Sequence, residues 1–206
     1  MNLREDYSNK KVAFLGGSFN PPHNGHLMIA ENVLKEFGLD EVVFLPLGTP
    51  PHKSGVASAE DRKRMCELLI EGKRGLSVST IELEREGYTY TFDTLTFLRE
   101  NHDIKELKYI IGTDTLFNIE KWYRHKEVFL LTDFICVPRP GDDLDKAMAK
   151  RTELAETYGC RIDMSGFFGP DISSTGIRDD IRGGRDVSGK LSPEVERYIK
   201  EKSLYV

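Results

Sequence analysis

Residues 10–36 read KKVAFLGGSFNPPHNGHLMIAENVLKE, and the order of parts in this stretch sets the architecture. Val12, Ala13, Phe14 and Leu15 form a short apolar run without alternation, stopped by Gly16 and Gly17. That is the pattern of a strand buried on both faces of a parallel sheet. Beyond the turn, Leu27, Ala30, Leu34 and Phe37 recur at i, i+3, i+7 and i+10, one face of a helix packed on that sheet, with Gly38 as its stop. Strand, glycine turn and helix in this order present free backbone N–H groups and the positive end of a helix dipole to an anion such as phosphate. The paired glycines let the backbone approach that anion closely. His23 and His26 bracket the helix entrance, and each can donate a hydrogen bond to a phosphate oxygen.

Working outward, the whole chain has 206 residues, a hydrophobic content of 39% and a charged content of 31%, which suits one soluble domain with a sizeable core. A net charge of −5 argues against a nucleic-acid-binding surface, which relies on a basic face. Cys66, Cys136 and Cys160 are odd in number and widely spaced, as expected of a reduced cytoplasm rather than a disulfide framework. The apolar runs are too short to span a membrane and residues 1–10 are polar, so neither anchor nor signal peptide is expected. Composition leaves a homo-oligomer open.

Strand and helix signals alternate along the chain. Glu41 to Leu45 reads as a strand ended by Pro46, and residues 46–58 as a loop whose Thr49-Pro50-Pro51-His52-Lys53 tip is basic. A helix follows over residues 59–71, capped by Ser58 with Met65, Leu68 and Leu69 inward, and then a strand over residues 76–83. Thr91 reads as the N-cap of a helix burying Phe92, Leu95 and Leu98. Leu107 to Ile111 is a strand ending at Gly112-Thr113-Asp114, on the same sheet edge as Gly16, where Asp114 either caps the next helix or meets a ligand. Trp122, the sole tryptophan, sits among polar residues, either as a core anchor or as a flat face beside a pocket. Strands over residues 134–137 and 161–164 flank a helix over residues 144–158 that Gly159 stops. In Ile172-Ser173-Ser174-Thr175-Gly176-Ile177-Arg178, three hydroxyl residues followed by an arginine exceed what one N-cap needs, and they suit a phosphate. Ser192-Pro193 starts the last helix. The alternation predicts an α/β fold with a doubly wound parallel sheet in one domain, residues 1–206, with a core over about 10–170 and a small helical part over about 171–206.

Neither standard nucleotide fingerprint applies: no G-x-G-x-x-G follows the first strand, and residues 184–190 fit G-x-x-x-x-G-K only until Leu191 replaces the hydroxyl. A zinc site at His23 and His26, with His52 as a third ligand, lacks a nearby cysteine. The stretch G-G-S-F-N-P-P-H-N-G-H, residues 16–26, resembles the nucleotidyltransferase superfamily marked by [HT]-x-G-H, and more closely its nicotinate mononucleotide adenylyltransferase branch. Residues 51–53 (P-H-K), 90–95 (Y-T-F-D-T-L) and 172–178 (I-S-S-T-G-I-R) match further elements of that branch, so the resemblance covers about residues 10–205.

The resemblance implies a Rossmann-like nucleotidyltransferase fold and adenylyl transfer from ATP to nicotinate mononucleotide, with Mg2+ held mainly by ATP and no metal site of the protein's own. It implies His23, His26, Lys53 and Arg178 as catalytic residues. For ATP it implies Gly16, Gly17, Ser18, Phe19, Arg139, Ile172, Ser173, Ser174 and Thr175 besides those four. For the mononucleotide it implies Ser18, Phe19, Tyr90, Thr91, Gly112, Asp114 and Trp122. Nicotinamide, phosphopantetheine or cytidylyl substrates, and a catalytically silent nucleotide-binding regulator, stay open as alternatives.

Overall fold

The computed structural model describes residues 6–48, 56–85 and 87–206. Along them run β1 (Lys11–Gly17), α1 (Asn24–Glu36), β2 (Glu41–Pro46), α2 (Ala59–Leu69), β3 (Leu76–Val78), α3 (Thr91–Asn101), β4 (Glu106–Gly112), α4 (Thr113–Asn118), α5 (His125–Leu131), β5 (Asp133–Val137), α6 (Leu144–Tyr158), β6 (Ile162–Met164), α7 (Ser174–Arg182) and α8 (Pro193–Glu201). Among the described residues these strands form one six-stranded sheet in the order β3-β2-β1-β4-β5-β6, every neighbouring pair parallel.

Period-two burial explains why helices cover both faces. Val12 and Phe14 of β1 join Tyr109 and Ile111 of β4 in a core roofed by Leu95 and Leu98 of α3, Val128 of α5 and Leu154 of α6. Ala13 and Leu15 join Phe44 and Ile135 in the opposite core, closed by Ala30 and Val33 of α1, Met65 of α2, Ile177 of α7 and Val195 of α8. Successive strand residues point to opposite faces, so a strand apolar at every position must be covered twice. The strand order reverses between β1 and β4, which opens a crevice at their carboxyl ends.

Two local expectations are corrected. The strand expected over residues 76–83 stops at Val78: it is an edge strand paired only with β2, and after the Ser79 N–H donates to the Phe44 carbonyl the chain turns at Thr80, whose carbonyl accepts from the Leu83 and Glu84 N–H groups. The cap of α3 is Tyr90, not Thr91. Tyr90 keeps an extended backbone while its carbonyl accepts from the Asp93 and Thr94 N–H groups, so Thr91 is already helical and its side chain faces the Tyr109 phenol. Ser58 and Ser192 cap their helices where the sequence puts them and Ser173 is the serine that caps α7, each accepting a backbone N–H in the first turn, whereas α4 is capped at Gly112 with Asp114 inside its first turn. No helix among the described residues is long and apolar enough to cross a membrane.

Candidate active site

The carboxyl ends of β1, β4 and β5 surround a cavity of about 370 Å³. Its lining includes Gly16 of β1, Gly112 of β4, His26 of α1, Thr91 of α3 and Asp114 of α4, together with Trp122 and Arg139. A second cavity of about 390 Å³ lies between α7 and α8, lined in part by Val187, Leu191 and Ile199. The first is the better site, because it sits at the strand-order switch and gathers imidazole, carboxylate, indole and guanidinium.

Each wall residue has a local cause. Gly16 lies so close to the Tyr109 phenol that an added Cβ would sit 1.9 Å from its oxygen. Gly25 admits His23 in the same way, since a Cβ there would be 2.9 Å from the His23 Nδ1. His23 is the N-cap of α1 and His26 its third residue, which stacks the two rings at 3.7 Å and 23°. The His23 backbone N–H donates to the His26 Nδ1 at 3.2 Å, so the proton of a neutral His26 ring sits on Nε2. Burial, followed by the Arg139 charge, pushes the His23 ring down to about 4. Burial, then His23 and Arg139, holds His26 well below the usual 6.5. Both rings are therefore neutral hydrogen-bond donors near pH 7 rather than cations. The His23 Nδ1 is buried without a hydrogen-bond partner among the described residues.

The chain's tail meets its front at this place. Ser174 Oγ donates to the Pro21 carbonyl at 2.8 Å, and Arg178 Nη1 donates to the Asn20 carbonyl at 2.7 Å. Thr175 Oγ1 accepts from Arg178 Nη2, and Ser173 Oγ caps α7 by accepting the Gly176 N–H. The start of α7, with its unpaired N–H groups, thus adjoins the glycine turn.

Of the described candidates, Gly16, His26, Thr91, Gly112, Asp114, Trp122 and Arg139 share the cavity wall, whereas Gly17, Ser18, Phe19, His23, Tyr90 and residues 172–178 do not; His23 is buried behind it, its ring stacked on that of His26. Tyr90 is 42% exposed and packs on Tyr123 at 4.6 Å. Phe19 is 1% exposed: its ring lies in the core, edge-on to His26 at 4.9 Å, and so supports the site instead of lining it. Gly17 lies against that ring, and the Ser18 carbonyl accepts from Arg62 Nη1. Trp122 packs on the core, crosses Tyr109 at 84° and is also among the residues that line the cavity. Lys53, with the rest of T-P-P-H-K, lies outside the described residues.

Sequence reasoning passed over Tyr109, Asn20, Arg62 and Asp142. Asp142 ties two strand ends together, its Oδ2 accepting from the Thr113 hydroxyl and the Arg139 N–H. Arg62 did leave a signal, since it stands at i to Met65 and Leu69 on the apolar face of α2.

A family model described as cytidylyltransferase-like matches residues 14–180. The nicotinate-nucleotide adenylyltransferase of Bacillus subtilis (strain 168) is 35% identical over 198 residues, covering 95% of this chain and 98% of its own. A Halalkalibacterium halodurans protein named "Probable nicotinate-nucleotide adenylyltransferase" is 40% identical over 201 residues, covering 95% and 91%. In fold, the chain is similar to the Plasmodium falciparum nicotinic acid mononucleotide adenylyltransferase solved in complex with NaAD, with a TM-score of 0.78 at 19% identity over 96% of this chain and 98% of that one. By the family model that matches it and by its sequence relatives, the chain belongs to the cytidylyltransferase-like family and, within it, to the nicotinate-nucleotide adenylyltransferases.

Proposed function

We propose that this enzyme transfers the adenylyl group of ATP to nicotinate mononucleotide, a step of NAD biosynthesis. The observation that carries this reading is the meeting of the glycine turn, the histidine pair and the start of α7 beside a cavity walled by Trp122 and Asp114. A phosphate oxygen of the mononucleotide attacks the α-phosphorus of ATP in line; the new P–O bond forms as the bond to the β-phosphate oxygen breaks, and pyrophosphate leaves. Such a transfer needs alignment and charge stabilisation more than covalent help from the protein.

His26, donating from Nε2, and His23 hold phosphate oxygens as neutral donors, and the start of α7 with Arg178 receives the leaving pyrophosphate. Arg139 adds positive charge beside the histidines. Lys53 serves the same anion in this reading. Trp122 offers its face to the pyridinium ring, a contact of about 0.5–2 kcal/mol, and the Asp114 carboxylate accepts from a ribose hydroxyl. Thr91 and the start of α3 border the ring.

Among the described residues no group of three or more His, Cys, Asp or Glu converges on a point. The hydrogen-bond donors at the turn suit the phosphates of an ATP that brings its own divalent ion, for which we propose Mg2+. When bound, that ion neutralises and orients phosphate oxygens. Cys66, Cys136 and Cys160 are free and buried, which supports a reducing compartment such as the cytoplasm. The test is pyrophosphate release by purified protein with ATP, Mg2+ and either mononucleotide. Turnover with the nicotinate form above that with the nicotinamide form supports the proposal; turnover with neither refutes it.

A further inference from the structure

Arg62 stands out on physical grounds. Among the described residues it heads the fully buried side chains by volume, at 1% exposure. The acidic groups close enough to act on it are the Cys66 thiol and the Tyr205 phenol, both kept neutral by burial. Among the described residues no carboxylate offsets the desolvation of this cation, which falls to its hydrogen bonds instead.

Those hydrogen bonds show what Arg62 holds. Nη1 donates to the Ser18 carbonyl at 2.9 Å, and Nε to the Ala57 carbonyl at 3.3 Å. On the far side of Phe19, Arg178 holds the Asn20 carbonyl. The Asn20 Oδ1 in turn accepts from the Ala57 N–H at 2.9 Å and from the Tyr205 hydroxyl at 2.8 Å. Phe19, clamped between two guanidiniums, has φ +46, a left-handed conformation uncommon for an aromatic residue. Its ring is the support on which His26 rests edge-on.

We propose that Arg62 is a positioning residue for adenylyl transfer: it locks the left-handed turn at Phe19 that seats His26, and it supplies fixed positive charge behind the triphosphate. The inference rests on the proposed function, and the test separates the two. Kinetics, melting temperature and the dissociation constant for inorganic pyrophosphate are compared in wild type, Arg62→Met, Arg62→Lys and Leu154→Ala, the last a cavity variant in the opposite core. Arg62→Met keeps the stem and loses the charge; kcat is expected to fall about 10–100-fold and pyrophosphate affinity about tenfold. Arg62→Lys keeps the charge but not the fork; affinity is expected to stay within about threefold while kcat falls about tenfold. Leu154→Ala lowers melting temperature with kcat unchanged. A folded Arg62 variant with wild-type kcat, or equal loss of pyrophosphate affinity in the Lys and Met variants, overturns the proposal. If Arg62→Met does not fold at 25 °C, kcat and pyrophosphate affinity of Arg62→Lys decide alone. Absence of turnover in wild type would instead refute the proposed function.

Discussion

A neutral histidine pair is a different tool from a pair of imidazolium cations. His23 and His26 stack at 3.7 Å in a partly dry site beside Arg139, an arrangement that expels protons. With the folded-state value of His23 at about 4 against 6.5 in the open chain, the unfolded state takes up a proton first as pH falls. Stability is therefore expected to be full above pH 6.5 and to decline as pH drops toward 4. Urea melts at stepped pH check this, and the slope should flatten in the H23N/H26N double variant; an unchanged slope contradicts it. In turnover, His26→Ala removes a positioned donor and is expected to cost about 10²–10³ in kcat with the fold intact. Circular dichroism and kinetics together read that outcome, and wild-type turnover would rule His26 out. The lone tryptophan gives a third readout: nicotinate mononucleotide should quench Trp122 fluorescence saturably, whereas an unquenched indole would place the pyridine ring elsewhere.

Between elements, the decisive contacts are those that a linear reading finds hardest to see. The opening strand–turn–helix and the capped start of α7 were legible because each is a local pattern: an apolar run ended by glycines, or hydroxyls ahead of an apolar face. Their hydrogen bonds to each other span some 150 residues of chain, and no local pattern encodes them. The strand expected over Leu76 to Leu83 ends early for a related reason: its composition suits a strand, but among the described residues it pairs with β2 alone, and no further than Phe44. Tyr109 reads as one more residue of the strand run Leu107 to Ile111. Its hydroxyl instead fills the space that the missing side chain of Gly16 leaves, which ties β4 to the phosphate turn on β1. Gly16→Ala is accordingly expected to destabilise by about 1–3 kcal/mol through overpacking. Tyr109→Phe in the same background should recover part of that loss in denaturant melts, and simple additivity of the two changes would contradict the contact.

Across the molecule, the sheet acts as a frame that turns distant sequence into one neighbourhood. Its order reverses between β1 and β4, so the ends of those strands diverge their following segments to opposite faces and leave the crevice between them. The cavity lies over that gap, and α7 returns from the far end of the chain to hold the Asn20–Pro21 segment beside it. In the proposed function, two anions meet there against their repulsion, held by fixed donors and guanidiniums in a direct transfer that needs no nucleophile from the protein. The most direct measurement is the stereochemical course at the α-phosphorus, using ATP carrying a chiral α-phosphorothioate and nicotinate mononucleotide as acceptor. A single in-line displacement predicts a dinucleotide product with inverted configuration at that phosphorus. Retention, the mark of a covalent adenylyl-enzyme formed and then discharged, would contradict the account.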